Sequence, residues 1–432
     1  MISVKIQAAY IDGFKNLSDV NIAFNDITAL ISLNNFGKSN VLSAIDFGLT
    51  FIKSLPNDKS LMMSNANLIP MHKSLYGKNY KFQMETVTCI SDVCYKAVYG
   101  YEFVWKVNED EEPRIIKEYL NVKKIDGEKK QYVKYINRNS DTKSFFRRAE
   151  SGRCSCVINV KPNELVINKL QLFDSLYYSK IVDKINNMTF YMENSLDVKD
   201  FYKTDPIIRK GFDGMTVDSE NLPRVIFQLK QKYPEKFGLL VSIYNDLFPE
   251  IEDVIVEQYK VNFASDTQFP DNAPFVLSNA MYSLFVRNVN LIHPINFELM
   301  SDGAKRVFLI LTRIILADIS NISLIAIEEP ENSVHPGLFK SYIQIISQLL
   351  TDCKVVITSH SPYIINYLDP SWIYVGINKK PGVASFFGFK KSGSRMLQRD
   401  AEKYRMSMGD YLYSMLADTE NDWSDYLEID DE

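Results

Sequence analysis

Apolar residues fall in two rhythms along the chain. Val4 to Ile11 alternates closely enough for a strand, and Val20 to Phe24 supplies a second short one. Ile27 to Ile31 is a continuous apolar run that stops at small and polar residues, as a buried strand does. From Asn40 to Ile52 the rhythm changes: Val41, Leu42, Ile45, Leu49 and Ile52 recur at helical spacing. Residues 53–79 are polar, with Pro56 and Pro70 among several Asn and Ser, which predicts a loop. Four stretches rich in aromatic and β-branched residues follow: Tyr80–Ile90, Tyr95–Lys106, Ile115–Lys124 and Tyr132–Tyr135. Asn108–Pro113 and Asp126-Gly127 supply turns, so a small antiparallel sheet of hairpins is expected.

Residues 165–250 read as mostly helical, broken at Pro206, Pro223 and Pro234, and 251–300 as another strand-containing segment. From Ser301 the order is helix, strand, helix, strand, the alternation of an α/β domain with a largely parallel sheet. The most apolar stretch, Val307 to Ala317, is interrupted by Arg313 and reads as a buried helix; no membrane span is expected. No heptad pattern is sustained over about three repeats, so a long coiled-coil arm is not expected. The segment from Asp418 to Glu432 is strongly acidic and is expected to fray or to face a partner.

At 432 residues the chain is long for one domain of about 150 residues. Five segments are expected. Residues 1–52 and 296–380 hold the two α/β parts, 53–164 a loop plus hairpin subdomain, 165–295 a helical or mixed insertion, and 381–432 a helical extension with the acidic tail. An apolar fraction of 46% excludes wholesale disorder. Lys+Arg number 49 against 54 Asp+Glu, a net charge of -5, so only local patches offer themselves to a polyanion. Lys123-Lys124, Lys129-Lys130, Arg147-Arg148 and Lys390-Lys391 with Arg395 are the candidates. Five cysteines, with no apolar leader at the N-terminus, predict reduced thiols and a cytoplasmic protein. The pairs Cys89/Cys94 and Cys154/Cys156 lack a second pair at zinc-finger spacing, and read as small strand residues.

Four motifs carry chemistry. Ser32-Leu33-Asn34-Asn35-Phe36-Gly37-Lys38-Ser39 fits G-x-x-x-x-G-K-[ST] between a strand and a helix, except that Ser32 replaces the first Gly. In such a loop, backbone N–H groups face phosphate oxygens, the lysine reaches the β- and γ-phosphates, and the serine hydroxyl ligates Mg²⁺. Ser32 costs about 1 kcal/mol if its φ is positive. Taken alone, the loop is also compatible with a degenerate copy that no longer binds. In Leu324-Ile325-Ala326-Ile327-Glu328-Glu329, an apolar run delivers two acids, which alone is also what a solvated turn looks like. Ser301-Asp302-Gly303 precedes an apolar helix, with Ser301 as its N-cap. Val355-Val356-Ile357-Thr358-Ser359-His360 brings a histidine to the end of a strand, where open α/β sheets bind ligands.

The order of these motifs resembles that of ABC-type ATPase domains, in the group of RecF, SMC-like and overcoming-lysogenization-defect ATPases. Phe14-Lys15-Asn16-Leu17 and Glu329-Pro330-Glu331-Asn332-Ser333-Val334-His335-Pro336 are similar to that group's N-terminus and acidic strand. Tyr99-Gly100-Tyr101 and Glu118-Tyr119-Leu120 look like the hairpins of its smaller members. The resemblance covers residues 1–52 and 295–368 well. It implies an α/β head with a mixed, largely parallel sheet core, an antiparallel hairpin subdomain, a helical insertion and no long coiled coil.

It further implies ATP and Mg²⁺ as cofactors. Residues Asn34, Asn35, Phe36, Gly37, Lys38, Ser39 and Asn40 would surround the phosphates, and Ser39 and Glu328 the metal. Glu329 would be the catalytic base and His360 the switch histidine. Ser301 and Gly303 would form a signature reaching the γ-phosphate held by a partner protomer. Glu328 stands where Asp is usual, which implies slower turnover. Gln83 is a lesser candidate for the Q-loop, a surface strand position being the simpler reading.

The resemblance also implies a head-to-tail homodimer or a higher even-numbered homo-oligomer. Arm-less members resemble the sensor or regulatory ATPase subunits of antiphage defence systems, whose effector is a nuclease or toxin. Only 72 residues follow His360 (432 − 360), short of the ~100 residues of a small fused domain. The effector is therefore expected on a separate chain. The alternatives are a RecF-like DNA-binding ATPase in repair and an ATP-locked scaffold.

Overall fold

The computed structural model describes residues 4–90, 93–125, 131–139, 143–194, 197–210, 215–217, 220–262, 270, 272–418 and 421–429. The chain divides into two compact units. Met1–Met192, Ile322–Ile327 and Asp352–Glu432 form the first, and Glu193–Asn321 with Glu328–Thr351 the second.

The first unit begins with β1 (Val4–Asp12), β2 (Val20–Ala23) and β3 (Ile27–Ile31), followed by helix α1 (Lys38–Lys53). A helix, α2 (Pro56–Met63), lies in the segment expected to be loop. Pro56 stands in its first turn, where a missing N–H costs nothing. Only Lys59 and Met63 of α2 are buried, so the sequence carries little helical pattern there. Then come β4 (Tyr80–Ile90), β5 (Val93–Val104), β6 (Arg114–Lys124), β7 (Val133–Arg138), β8 (Ser144–Arg147) and β9 (Cys154–Ile158). The hairpins expected over 80–137 extend a sheet that starts with the N-terminal strands. Its order is β2-β1-β4-β5-β6-β7-β8-β9, with every neighbour antiparallel. Helices α3 (Val166–Leu170) and α4 (Ser179–Asn186) lead to β10 (Phe190–Glu193).

The second unit holds β11 (Ile207–Arg209), α5 (Leu222–Lys232), α6 (Pro234–Leu247), β12 (Ile251–Lys260), β13 (Phe275–Leu277), β14 (Ala280–Asn288), β15 (Ile295–Asn296) and α7 (Asp302–Ile319). Pro223 and Pro234 open α5 and α6. Strands β12, β14 and β15 pair antiparallel. Within this unit Arg313 Nε donates to Glu193 Oε2 at 3.1 Å, both side chains being buried.

The chain then gives β16 (Leu324–Glu328), which belongs to the first unit as far as Ile327, α8 (Pro336–Leu349) in the second unit, and β17 (Lys354–Ser359), α9 (Pro362–Tyr367), β18 (Ile373–Lys380), β19 (Val383–Gly388), α10 (Gly393–Lys403) and α11 (Met408–Ala417) in the first. A six-stranded mixed sheet has the order β10-β16-β17-β3-β18-β19. β3 runs parallel to both β17 and β18, and all five of its residues are buried. The α/β class with a mixed sheet is as the sequence implied. Among the described residues the longest helix is α7, 18 residues or about 27 Å, so no coiled-coil arm is present there. No described helix is long and apolar enough to cross a membrane.

Helix α1 is held by aromatic residues of β4 and β5. Tyr80 Oη donates to Ala44 O at 3.0 Å and Tyr101 Oη to Gly48 O at 2.9 Å. Phe51 stacks on Tyr101 and Phe103, and Phe47 packs edge-on against Tyr80. These contacts bury the helix face whose far end carries the phosphate-loop motif. Glu118, fully buried on β6, accepts from the N–H groups of Val166 and Ile167 at 2.6 and 2.9 Å and so caps α3. Burial nevertheless pushes its carboxyl up from the usual range.

Two further expectations are corrected. Cys89 and Cys94 form a disulfide instead of remaining reduced. They are direct cross-strand partners in the β4–β5 hairpin, a register that a five-residue spacing does not reveal. The acidic C-terminal segment is anchored over its described part. Trp423 and Leu427 are buried, Glu428 N donates to Gly388 O, and Lys390 N donates to Tyr426 O, both at 2.9 Å. The Asp126-Gly127 turn, Lys129-Lys130 and the last three acids lie outside the described residues.

Candidate functional site

β3 ends at Ile31 and α1 begins at Lys38, so residues 32–37 form the strand-to-helix connection. Within it Asn35 (φ 57°) and Gly37 (φ 134°) have positive φ, and Ser32 does not. The penalty anticipated for serine at the first position is therefore not incurred. Room for the Ser32 side chain comes from β18. A Cβ on Gly376 would stand 2.8 Å from Ser32 Cβ and 2.6 Å from the Phe36 ring. The buried Lys38 ammonium donates to Ser32 O (3.0 Å), Ser32 Oγ (3.2 Å) and Leu33 O (3.2 Å). Asn34, Asn35 and Ser39 are exposed. Gly37, the N-cap of α1, provides no side-chain cap, so the helix start presents backbone N–H groups and a serine hydroxyl.

Lys38 Nζ also lies 3.1 Å from His360 Nδ1. The sheet register explains this. β17 runs parallel to β3 with Ser359 opposite Ile31, so His360 follows the strand at the level where the loop begins. Ser359 Oγ accepts from Ser361 N at 2.9 Å, and Ser361 caps α9 by accepting from Tyr363 N at 3.3 Å. The turn around the histidine is thus fixed on both sides.

Asn16 is a residue that motif spacing alone did not single out. Its Nδ2 donates to Phe36 O at 3.0 Å, and its Oδ1 accepts from Asn40 Nδ2 at 2.8 Å. Lys15 Nζ donates to Asn40 Oδ1 at 3.2 Å. The β1–β2 connection therefore clamps the loop and the first turn of α1 together. The only signal in the sequence was its place in Phe14-Lys15-Asn16-Leu17. Gln83 sits in β4, where its Oε1 accepts from Tyr119 Oη at 2.6 Å.

The second unit brings together the other motifs. Ser301 caps α7, its Oγ accepting from Ala304 N at 3.2 Å. Gly303 lies against the acidic loop. A Cβ there would be 2.1 Å from Ser333 O, so only glycine permits this approach. Arg306, one helical turn on and buried, donates to Glu328 O at 2.8 Å and Glu329 O at 3.2 Å. Glu329 (φ 48°) and Ser333 (φ 63°) both adopt the left-handed conformation, uncommon for these residues. Asn332 Nδ2 donates to Glu329 Oε2 at 2.6 Å, and Asn332 N to Glu329 O at 3.0 Å. His335 closes the loop as the N-cap of α8, accepting from Gly337 N at 3.1 Å, with Pro336 in the first turn. Glu328 and Glu329 are half-buried.

No cluster of three or more His, Cys, Asp or Glu side chains occurs among the described residues. A dedicated all-protein metal cage is therefore absent from them. Mg²⁺ needs none, since it usually takes one or two protein ligands and completes its shell with phosphate and water. An exposed serine hydroxyl at an uncapped helix start fits that demand.

Residues 160–366 match the family model described as AAA domain, putative AbiEii toxin, Type IV TA system. That span includes Ser301, Gly303, Glu328, Glu329 and His360; the loop at 32–39 lies before it. No curated protein matches the chain. Among solved structures it is similar to an SMC head bound to the C-terminal winged-helix domain of ScpA, with 14% identity over 91% of this chain and 99% of that one, TM-score 0.46. The SMC head domain from Thermotoga maritima gives 13% identity over 89% and 99%, TM-score 0.38. The Pyrococcus furiosus Smc head with an extended coiled coil, bound to the C-terminal domain of ScpA, gives 14% over 93% and 100%, TM-score 0.44. The matched family description names an AAA domain, over slightly less than half of the chain.

Proposed function

We propose that this chain is an ATPase that binds Mg²⁺-ATP on the loop 32–39 and hydrolyses it in an assembly in which a second protomer supplies the signature. The observation that carries the reading is the bond between Lys38 and His360, beside an exposed Ser39 at an uncapped helix start. Lys38 would exchange its loop carbonyls for the β- and γ-phosphates. On the order of the motifs along the chain, Ser39 and Glu328 are the side chains assigned to Mg²⁺, which when bound neutralises phosphate charge and orients the γ-phosphate. Glu329 would take a proton from the attacking water, and His360 would report on the γ-phosphate end of the loop. Ser301 and the N–H groups that follow it would meet the partner's nucleotide.

We further propose that the chain serves as the sensor or regulatory ATPase of an antiphage defence complex, with its nuclease or toxin encoded separately. The family description, which names an AbiEii-type toxin of a toxin–antitoxin system, supports a role in that setting. The DNA-repair reading finds less support, because several of the basic candidates have partners. Lys124 pairs with Glu150, Arg147 donates to the carbonyls of Ala149 and Glu150, and Lys390 donates to Ser424 O.

The test is solution mass with and without Mg²⁺-ATP, for wild type and Glu329→Gln. ATP should raise the mass of both, and the larger species should persist in the variant, whose turnover falls by about 10²–10⁴. A mass indifferent to nucleotide in both proteins would refute the shared site. If that constant mass is large, it points to a constitutive scaffold.

A further inference from the structure

The acidic loop contains a side-chain contact that the assignment of Glu329 as base does not use. Asn332 Nδ2 donates to Glu329 Oε2 at 2.6 Å, while the Asn332 backbone N–H closes a turn on Glu329 O at 3.0 Å. Glu329 itself stands at φ 48°, a conformation that aims a side chain in a direction few glutamates adopt. An outlier of this kind persists only where the surroundings over-determine it. Those surroundings are visible. Arg306 holds the carbonyls of both Glu328 and Glu329 from α7, and Gly303 lets Ser333 O approach the same helix.

We infer that Asn332 is a positioning residue for hydrolysis, setting the plane and rotamer of the Glu329 carboxylate through Oε2 so that the attacking water meets it in one orientation. This rests on Glu329 being the base. An amide is suited to this role, because its NH₂ donates to a carboxylate without bringing a charge that would compete for the proton. An acid in its place would put two carboxylates within hydrogen-bond distance, where like charges oppose joint ionisation. The contact lies wholly within the turn, so a partner protomer is not needed to form it.

The experiment compares Asn332→Ala and Asn332→Asp, each alone and combined with Glu329→Gln. It measures kcat and KM for Mg²⁺-ATP, with nucleotide Kd as the control for folding. Both single variants should lower kcat about 10- to 100-fold, the usual cost of losing an outer partner of a reacting group, with KM and Kd within about threefold. In the Glu329→Gln background neither should reduce the residual rate further, because the carboxylate they orient is gone. Wild-type kcat in Asn332→Ala, beside a crippled Glu329→Gln, would overturn the inference and leave Glu329 as base. Equal losses in both backgrounds, or a loss in Kd as large as that in kcat, would also overturn it, by showing a structural role. Full activity in Glu329→Gln would remove the premise and the inference together.

Discussion

The ammonium of Lys38 stands 3.1 Å from Nδ1 of His360, although 322 residues separate them in the chain. An ammonium has no acceptor, so a hydrogen bond between the two requires Nδ1 to accept, with the imidazole proton on Nε2. The same lysine is held by the carbonyls of Ser32 and Leu33. The loop is thus closed on its own cation, and nucleotide has to draw Lys38 away from these partners.

The two residues should separate under kinetic analysis. His360→Ala should lower kcat by about 10²-fold, at the lower end of what loss of a proton-transfer or orienting group costs. Its nucleotide Kd should change by less than about threefold, since phosphate recognition stays with the loop. Lys38→Met should abolish measurable ATP binding. Titration with a fluorescent ATP analogue and steady-state turnover together decide this. Equal weakening of binding by both substitutions would mean that His360 acts only as a prop for the lysine.

Gly303 and Gly238 offer a matched pair within the second unit. A Cβ at Gly303 would come 2.1 Å from Ser333 O, whereas one at Gly238, in α6, would meet nothing within 4 Å. Gly303→Ala should therefore destabilise by about 1–3 kcal/mol and displace the acidic loop. Gly238→Ala should be neutral or stabilise by about 0.5–1 kcal/mol through helix propensity. Thermal unfolding of the two variants, with ATPase activity measured alongside, makes the comparison. An unchanged transition and full activity in Gly303→Ala would contradict the close approach.

The elements around the loop were legible because their burial is complete. Ile27–Ile31 reads as an inner strand since both its neighbours run parallel to it and nothing polar faces out. Helix α7 was legible for the same reason, with fourteen of its residues buried. Contacts set by register were not. The Cys89–Cys94 disulfide and the approach of His360 to Lys38 both follow from which residue opposes which across strands, information that no single segment contains. Helix α2 and the anchored tail were hidden by thin patterns. Lys59 and Met63 in the one, and Trp423 and Leu427 in the other, are few buried residues in polar company. Asn16 escaped because a clamp made of one amide has no periodicity.

Lys59 sets the alkaline behaviour of the first unit. Its Nζ donates to Ile52 O at 3.3 Å, to Asn168 Oδ1 at 3.0 Å and to Ser54 O, tying α2 to the end of α1 and to α3. Burial pulls its pKa down from 10.5 to about 8. Between those values the unfolded chain binds more protons than the folded one, so stability rises with pH across the window and is flat below about pH 8. The full gain is about 3 kcal/mol at most, since each pH unit in the window contributes about 1.4 kcal/mol, and the three donated bonds oppose it. Lys59→Met should lose this dependence. Urea denaturation at pH 7, 8, 9 and 10 of both proteins isolates it, because every other titrating group is shared. The difference in stability between wild type and variant should move by about 1 kcal/mol or more in favour of wild type from about pH 8 to pH 10. A constant difference across that range would show that the ammonium keeps its charge in the fold, its three acceptors fully offsetting the cost of burial.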